Sequence, residues 1–259
     1  MKILVLGCGT STGVPLIGCK CSVCTSSNLK NKRLRPSILI SVNNFDILID
    51  TSPDLRTQAL KFNLKNIDAV LYTHTHADHI FGIDDLRMFN YIKKKDNKFI
   101  PVYGSEQSIE FIKNKFDYIF KEKTESSKPY LIANTIKNSF EIQPQVTITP
   151  VPVFHGKNLI YGYRINDFAY ITDVSSIPEP SFDLLKGVNA LMIDALRFDT
   201  HGTHLSIEQA VAASEKIKPA RTYFTHMGHN VDYDEIAEIC SCKSKQAFIP
   251  SYDGLSFEL

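Results

Sequence analysis

In a chain of 259 residues with only 8 His, the stretch Thr73-His74-Thr75-His76-Ala77-Asp78-His79 places three imidazoles and one carboxylate within six positions. Crowding of that kind fits a metal site better than a chance surface turn. In an extended segment side chains alternate with period two, so His74 and His76 project to one side and reach one ion. Asp78 and His79 follow once the backbone turns towards the next helix, where they face a second ion nearby. Imidazole and carboxylate donors suit Zn²⁺, Mn²⁺ or Fe²⁺ and leave a coordination position open more readily than soft thiolates do. A second donor set lies upstream. Cys19, Cys21 and Cys24 fall within six residues, whereas Cys8, Cys240 and Cys242 lie apart. In a reducing compartment such a cluster reads as metal binding before it reads as disulfides.

These donors need elements to hold them. Short apolar runs bounded by turn residues read as strands: Ile3 to Leu6, Ser37 to Val42, Phe45 to Ile49, Ala69 to Tyr72 and Pro101 to Tyr103. A second batch comprises Val146 to Val153, Leu159 to Ile165, Phe168 to Ile171, Ala190 to Ile193, Arg221 to Phe224 and Leu255 to Glu258. Asn43-Asn44 between two such runs is a hairpin turn. Helical patterns cover Asp54 to Phe62, Gly82 to Lys95, Ser105 to Phe116, Ser181 to Lys186, Ser206 to Ile217 and Tyr233 to Ser241. Ser206-Ile207-Glu208-Gln209 is a capping-box signature. Two batches of strands, each interleaved with helices, predict two packed sheets with helices outside. The histidine stretch directly follows the run Ala69 to Tyr72, so it lies at a strand's C-terminal end, where ligand sites of α/β folds collect. Lys121 to Asn138 is the most polar and least patterned segment; its length for a loop predicts a lid or rim, with a plain surface excursion as the alternative.

Thr-His-Thr-His-Ala-Asp-His resembles the H-x-H-x-D-H signature of the metallo-β-lactamase superfamily. The resemblance implies a four-layer αββα sandwich, an α/β fold over residues 1–259 as one hydrolase domain, with a dinuclear site at the sheet edge. It implies that one metal takes His74, His76 and His155, that the other takes Asp78, His79 and His226, and that Asp173 bridges them. His155, Asp173 and His226 each follow a strand run, which fits. The acidic residue matching Asp50 braces the histidine loop in that superfamily without touching metal, in line with the need of ligating histidines for hydrogen-bonded partners. Two divalent ions roughly 3.5–4 Å apart lower the pKa of a shared water, so that hydroxide forms near neutral pH, and they offset charge in the transition state. Phosphodiesters suit such a site best.

The fold leaves the substrate open. Leu6-Gly7-Cys8-Gly9-Thr10-Ser11-Thr12-Gly13-Val14-Pro15, then Gly18-Cys19-Lys20-Cys21-Ser22-Val23-Cys24, and later Asp194-Ala195-Leu196-Arg197 with His201-Gly202-Thr203-His204-Leu205, resemble the phosphoribosyl 1,2-cyclic phosphate phosphodiesterase family of the carbon–phosphorus lyase pathway. That resemblance implies a separate structural zinc on Cys19, Cys21, Cys24 and His229, a closed Cys₃His tetrahedron. Glycines at 7, 9 and 13 read as a tight turn beside the metal site; without the rest of its fingerprint, G-x-G is weak evidence for a dinucleotide. The leaving oxygen still needs a proton, and histidine delivers one near neutral pH. His201 and His204 are the candidates; the resembled family has its histidine directly before the helix that here starts at Ser206, which selects His204 as general acid or transition-state donor. That helix N-terminus also favours a phosphate. His201 and Arg197 remain as substrate-binding candidates. Two alternatives stand beside the small-phosphodiester reading: a tRNA 3′-end endonuclease, and a carrier or oxidative protein of the type that assists pyrroloquinoline quinone formation, which shares a similar cysteine cluster.

Composition narrows the partners. With 29 basic and 28 acidic residues the net charge is +1, which gives no electrostatic footprint for long nucleic acid or an anionic membrane. No apolar run reaches transmembrane length. Leu4-Val5-Leu6-Gly7-Cys8 mimics a lipoprotein cleavage box, but the apolar run before Cys8 is too short for a signal core. The expectation is a cytoplasmic enzyme with a small-molecule substrate, two active-site Zn or Mn ions and one structural Zn, for which a homodimer is open.

Overall fold

The computed structural model describes residues 1–93, 99–121, 127–242 and 247–259. Its strands run in chain order as β1 (Lys2–Gly7), β2 (Ser37–Val42), β3 (Phe45–Ile49), β4 (Ala69–Leu71), β5 (Ile100–Gly104), β6 (Leu131–Thr135), β7 (Phe140–Gln143), β8 (Val146–His155), β9 (Asn158–Ile165), β10 (Phe168–Ile171), β11 (Ala190–Asp194), β12 (Arg221–Thr225), β13 (Ala247–Pro250) and β14 (Ser256–Glu258). They form two seven-stranded sheets, ordered β14-β1-β2-β3-β4-β5-β6 and β13-β12-β11-β10-β9-β8-β7. Both sheets are mixed. In the first, β14 to β3 pair antiparallel and β3 to β6 parallel. In the second, β13 to β10 pair parallel and β10 to β7 antiparallel. The parallel halves carry most of the strand ends on which the site is built, and β8 of the antiparallel half carries the other.

Alternation along the strands decides the layers. Ile3, Val5, Ile38, Ile40, Ile47 and Ile49 belong to the core shared with Val151, Val153, Tyr163, Phe168 and Tyr170 of the second sheet. Leu6, Leu39 and Leu48, the intervening residues, pack on the other face with Leu55, Ile80, Leu86, Ile109 and Ile112. Those residues come from helices α2 (Leu55–Lys61), α3 (Ala77–Ile80), α4 (Leu86–Ile92) and α5 (Glu106–Lys115). The second sheet is flanked by α7 (Glu179–Leu185), α8 (Ile207–Ile217) and α9 (Tyr233–Cys242), which add Leu185, Ala210 and Ile236 to the shared core. Short helices α1 (Ser22–Thr25) and α6 (Asp117–Phe120) complete the set. The fold is thus the expected αββα sandwich. Ser206 and Gln209 close their capping box at the start of α8.

Three strands differ from the expectation. Within Lys121 to Asn138, read above as a lid or rim, Leu131–Thr135 is instead β6, the edge of the first sheet; residues 122–126 lie outside the described residues. Strands β7 and β13 likewise come as additions at edges of the second sheet. Of the helix expected over Gly82 to Lys95, Ile83–Asp85 is a tight 3-10 turn and Leu86–Ile92 is helical, while Lys94 and Lys95 fall outside the described residues.

The two sheets are pinned together at the site end. Tyr163 of β9 donates its hydroxyl to the Tyr72 carbonyl at 2.7 Å, and the Tyr161 amide donates to the Thr73 carbonyl at 3.1 Å. The segment entering the histidine stretch is therefore held by the opposite sheet.

Candidate metal centre

All seven predicted donors of the dinuclear site converge. His74, His76, His155 and Asp173 form one group, and Asp78, His79, Asp173 and His226 the other; within each, the ligand-type atoms lie within 4.8 Å of one another. Asp173 is common to both. His74 and His76 leave the end of β4, with ring centroids 4.6 Å apart, and His155 is the last residue of β8, 5.0 Å from His76. Asp78 and His79 sit in α3, whose N-cap is His76. Six of the seven are buried, and His76 is the exposed member.

Hydrogen bonds fix which ring nitrogen His74, His79 and His155 offer. The Asp50 carboxylate takes the Thr73 amide and hydroxyl, both at 2.8 Å, and the His79 Nδ1 proton at 2.6 Å. Because the Thr73 hydroxyl already donates to Asp50, it accepts from His74 Nδ1 at 3.1 Å. His155 Nδ1 donates to the Thr203 carbonyl at 2.7 Å. In each ring the outer nitrogen is spoken for, so Nε2 carries the lone pair that faces inwards. His74 Nε2, His79 Nε2, His226 Nε2 and Asp78 Oδ2 are all buried with no hydrogen-bond partner. A buried orphan of this kind costs about 1–3 kcal/mol, and four converging ones match a divalent cation's needs. Asp50 thus accepts from both Thr73 and His79 of the histidine loop.

Charge supports the same fit. Burial pushes the His74, His155 and His226 imidazoles down, His226 to about 4, which keeps them neutral as ligands must be. Burial alone would raise Asp78 and Asp173, but His79 beside Asp78, and His226 and His79 beside Asp173, hold both carboxyls below the usual range. Burial would also lower His79; Asp78, Asp173 and Asp50 outweigh it and raise the ring. Three carboxylates around one imidazole are a surplus of negative charge that a divalent metal would balance.

Strand ends alone do not aim these groups. Asp50, Asp173 and His226 have φ of 62°, 54° and 59°, in the left-handed region that non-glycine residues seldom occupy. Backbone outliers of this kind cluster at functional sites. Here each turns the chain sharply as it leaves a strand.

The second donor set also assembles. Cys19, Cys21, Cys24 and His229 have ligand atoms within 4.8 Å of one another, and His229 Nδ1 lies 3.5 Å from both Cys19 Sγ and Cys21 Sγ. The Cys24 amide donates to Cys21 Sγ, and this bond, with His229 next, lowers the Cys21 thiol to about 6. The glycine loop runs behind it. A Cβ on Gly7 would meet the Arg35 carbonyl at 2.1 Å and one on Gly9 the Arg33 carbonyl at 2.8 Å, so the close backbone approach needs glycine. Gly9 bridges to Met227, directly after His226, which makes the loop the tight turn expected beside the site.

His204 is brought to the centre. Its ring stacks on His226 with centroids 4.9 Å apart at 12°, and meets the His155 ring edge-on at 4.8 Å. Its Nδ1 donates to Asp194 Oδ2 at 2.8 Å. Burial works against charging this ring, but Asp194 raises it, so the protonated form is favoured. Asp194 was quoted in a motif above and given no role; a carboxylate ending a strand, as Asp50 follows β3, was the signal that marked it. His201 lies at the rim, 5.3 Å from His204 and bonded through Nδ1 to Thr203. Arg197 is not brought in: its guanidinium is spent on the Asp199 and Thr200 carbonyls of its own loop. The phosphate expected at the N-terminus of α8 loses donors too, since the Ile207 amide is taken by the Arg197 carbonyl and the Gln209 amide by Ser206.

Comparison with known proteins agrees with this architecture. The family model of a beta-lactamase superfamily domain matches residues 46–227. An octanoyltransferase of Porphyromonas gingivalis is 36% identical over 233 residues, 89% of this chain. The chain spans 46% of the length of that relative. The crystal structure of a diphosphatase from the PhnP family superposes with a TM-score of 0.90 at 39% identity, covering 100% of this chain and 97% of the other. Zinc-bound PqqB from Methylobacterium extorquens shares the fold, with a TM-score of 0.78 at 19% identity and full coverage of both chains. From the family match and the whole-length likeness to the diphosphatase, the chain belongs to the beta-lactamase superfamily, on the PhnP-like branch.

Proposed function

We propose that residues 1–259 act as one metal-dependent hydrolase domain that cleaves a small phosphodiester, cyclic or nucleotide, with two divalent ions, Zn or Mn, in the centre and one structural Zn on the cysteines. One observation carries the reading. Asp173 presents Oδ2 towards His74 Nε2 at 3.9 Å and Oδ1 towards His79 Nε2 at 3.3 Å and His226 Nδ1 at 3.2 Å, one oxygen for each group. A carboxylate so placed is built to be shared. His74, His76, His155 and Asp173 would hold one ion, and Asp78, His79, His226 and Asp173 the other. When bound, such a pair supplies an activated water and offsets the charge of the phosphoryl oxygens.

The chain's own residues do the rest. Asp50 and Thr73 orient the imidazoles, and His204 delivers a proton to the leaving oxygen. Its Nδ1 is engaged with Asp194, so Nε2 is the proton-bearing atom that remains. His201 at the rim is a contact for the departing group. The Sγ atoms of Cys8, Cys19, Cys21 and Cys24 form no disulfide, which suits a cytoplasmic setting, and no helix among the described residues is long and apolar enough to cross a membrane.

A second reading replaces the diester by a diphosphate linkage, since the PhnP-family structure is described as a diphosphatase. The test is purified protein with Mn²⁺ or Zn²⁺ against 2′,3′-cyclic, 3′,5′-cyclic and ribose 1,2-cyclic phosphates, a diphosphate-linked dinucleotide, and pre-tRNA as control. Turnover of a cyclic phosphate well above the rest supports the first reading. Preferential cleavage of the dinucleotide supports the second, and of pre-tRNA an endonuclease.

A further inference from the structure

Arg33 is 1% exposed, and among the described residues no carboxylate lies within ion-pair distance of it. Burying a guanidinium without a carboxylate in direct contact is costly, and Asp253 and Asp232 offset the burial of Arg33 only from farther off. Its partners are neutral oxygens: one terminal nitrogen donates to the Gly228 carbonyl at 3.0 Å, the other to the Val231 carbonyl at 2.8 Å and to Asn31 Oδ1 at 3.1 Å. Asn31 is itself fixed, donating to Asp232 at 2.7 Å and accepting from the Tyr233 amide at 2.9 Å.

The gripped segment is the one that serves both donor sets. His226 enters the His–Asp cluster, His229 enters the cysteine cluster, and Gly228 lies between them. At its other end Arg33 belongs to the cysteine loop, with its backbone doubly paired to Val14, both bonds 2.8 Å. Val14 packs with Val23 and Cys24 in the small apolar cluster beneath the thiols. Other bonds of the segment are the Met227 amide to the Cys8 carbonyl, the Thr10 amide to the Met227 carbonyl, the Gly228 amide to the Leu196 carbonyl and the Cys21 thiol to the His229 carbonyl. Arg33 is therefore a buried side chain that spans from the cysteine loop to the Gly228 and Val231 carbonyls on either side of His229.

We propose that Arg33 is a positioning residue that couples the two metal sites, holding the His226–Val231 segment so that His226 and His229 face their separate clusters at once. This rests on the ligand reading above. Removing an outer hydrogen-bond partner of metal ligands typically costs about 10–100-fold in metal affinity, and the coupling is reciprocal: filling the cysteine site tightens the His226 site, and the reverse.

The experiment compares Arg33→Met, Arg33→Lys and Asn31→Ala with the wild type and with His226→Ala. The readouts are Zn²⁺ affinity by chelator competition, amide exchange of residues 226–231 in the zinc-loaded protein, and kcat and KM at saturating metal. Arg33→Met should bind Zn²⁺ at the His–Asp centre about 10–100-fold more weakly, speed exchange across the segment and lower kcat with little change in KM. Arg33→Lys should recover part of the loss, since one ammonium cannot reach three oxygens in a fork. If Arg33→Met does not fold, Asn31→Ala, which keeps the guanidinium and removes one of its acceptors, should show the same changes on a smaller scale. Wild-type Zn²⁺ affinity and exchange in a folded Arg33→Met protein, while His226→Ala loses metal, would overturn the coupling alone. Full metal content in His226→Ala would overturn the ligand reading, and the coupling with it.

Discussion

The His–Asp cluster gathers donors from the ends of β4, β8, β10 and β12 and from α3, across both sheets, and six of its seven side chains are buried. The cysteine cluster takes three thiols from positions 19–24 and adds one distant imidazole, and only Cys24 among them is buried. In the first, position is set by two packed sheets. Its neutral imidazoles and paired carboxylates are tuned by burial and by one another. In the second, position is set by a short loop with its own small apolar cluster and by backbone N–H groups such as that of Cys24, which favour the thiolate of Cys21. A centre proposed to hold two ions and keep a coordination position open for water is built deep from rigid strand ends. A site proposed to tie a loop down needs only local geometry and one long-range partner.

The comparison predicts that lesions in the first region act on chemistry and lesions in the second on stability. Asp173→Ala should abolish phosphodiesterase activity and lower metal content while leaving the circular dichroism spectrum unchanged; full activity would refute the shared carboxylate. Next in size, His204→Ala should keep its metals and lose about 10²–10⁴ in rate on a substrate with a poor leaving group. The same change should cost far less on a p-nitrophenyl ester, whose leaving group needs no proton. Asp194→Asn should follow the same pattern with a smaller loss. An equal loss on both esters would reassign His204 to phosphate binding.

Cys21→Ser should act through the fold. Wild-type protein should contain about three metals per chain, a two-ion centre plus a closed zinc site. The variant should lose one, melt at lower temperature and keep more activity per folded molecule than either lesion above. An unchanged metal count would remove the zinc site from the comparison.

The smallest effect expected is at Asp253, which lies under the start of the cysteine loop and accepts the Cys8 amide at 3.2 Å and the Leu34 amide at 2.8 Å. Burial pushes its carboxyl up to about 6. A folded-state value above the unfolded one, about 3.9, means that the fold binds this proton more tightly. The stability it confers is present below about pH 4 and is lost as the pH rises through about 6. Asp253→Asn should remove that loss, so the gap in denaturation midpoint between variant and wild type should shift in the variant's favour between pH 4 and pH 7. A gap that is flat with pH would contradict the assignment.

Much was legible because the sequence states it locally. The H-x-H-x-D-H string, the C-x-C-x-x-C spacing and the Ser206–Gln209 capping box each lie within one element or turn, so residue type and spacing carry the chemistry. Interior strands such as β2, β3 and β10 declare themselves because both faces are buried and their apolar runs are unbroken or alternate cleanly. The strands that were missed, β6, β7 and β13, are all sheet edges. Their residues are partly solvated, as in Leu131–Thr135, where only the first is buried; their strand character comes from the neighbour that pairs with them, and a single chain segment does not encode its neighbour.

The site divides along the same line. Sequence order supplied its donors, through their types and through the resemblance that order carries. Tertiary structure decided which oxygen of Asp173 faces which group, that Asp194 holds His204, that Arg197 folds back on its own loop, and that Arg33 grips the segment between His226 and His229. Each of these depends on residues brought together from distant parts of the chain by the packing of two sheets. The left-handed turns at Asp50, Asp173 and His226 belong here too, since local preference opposes them and only the surrounding packing holds them in place.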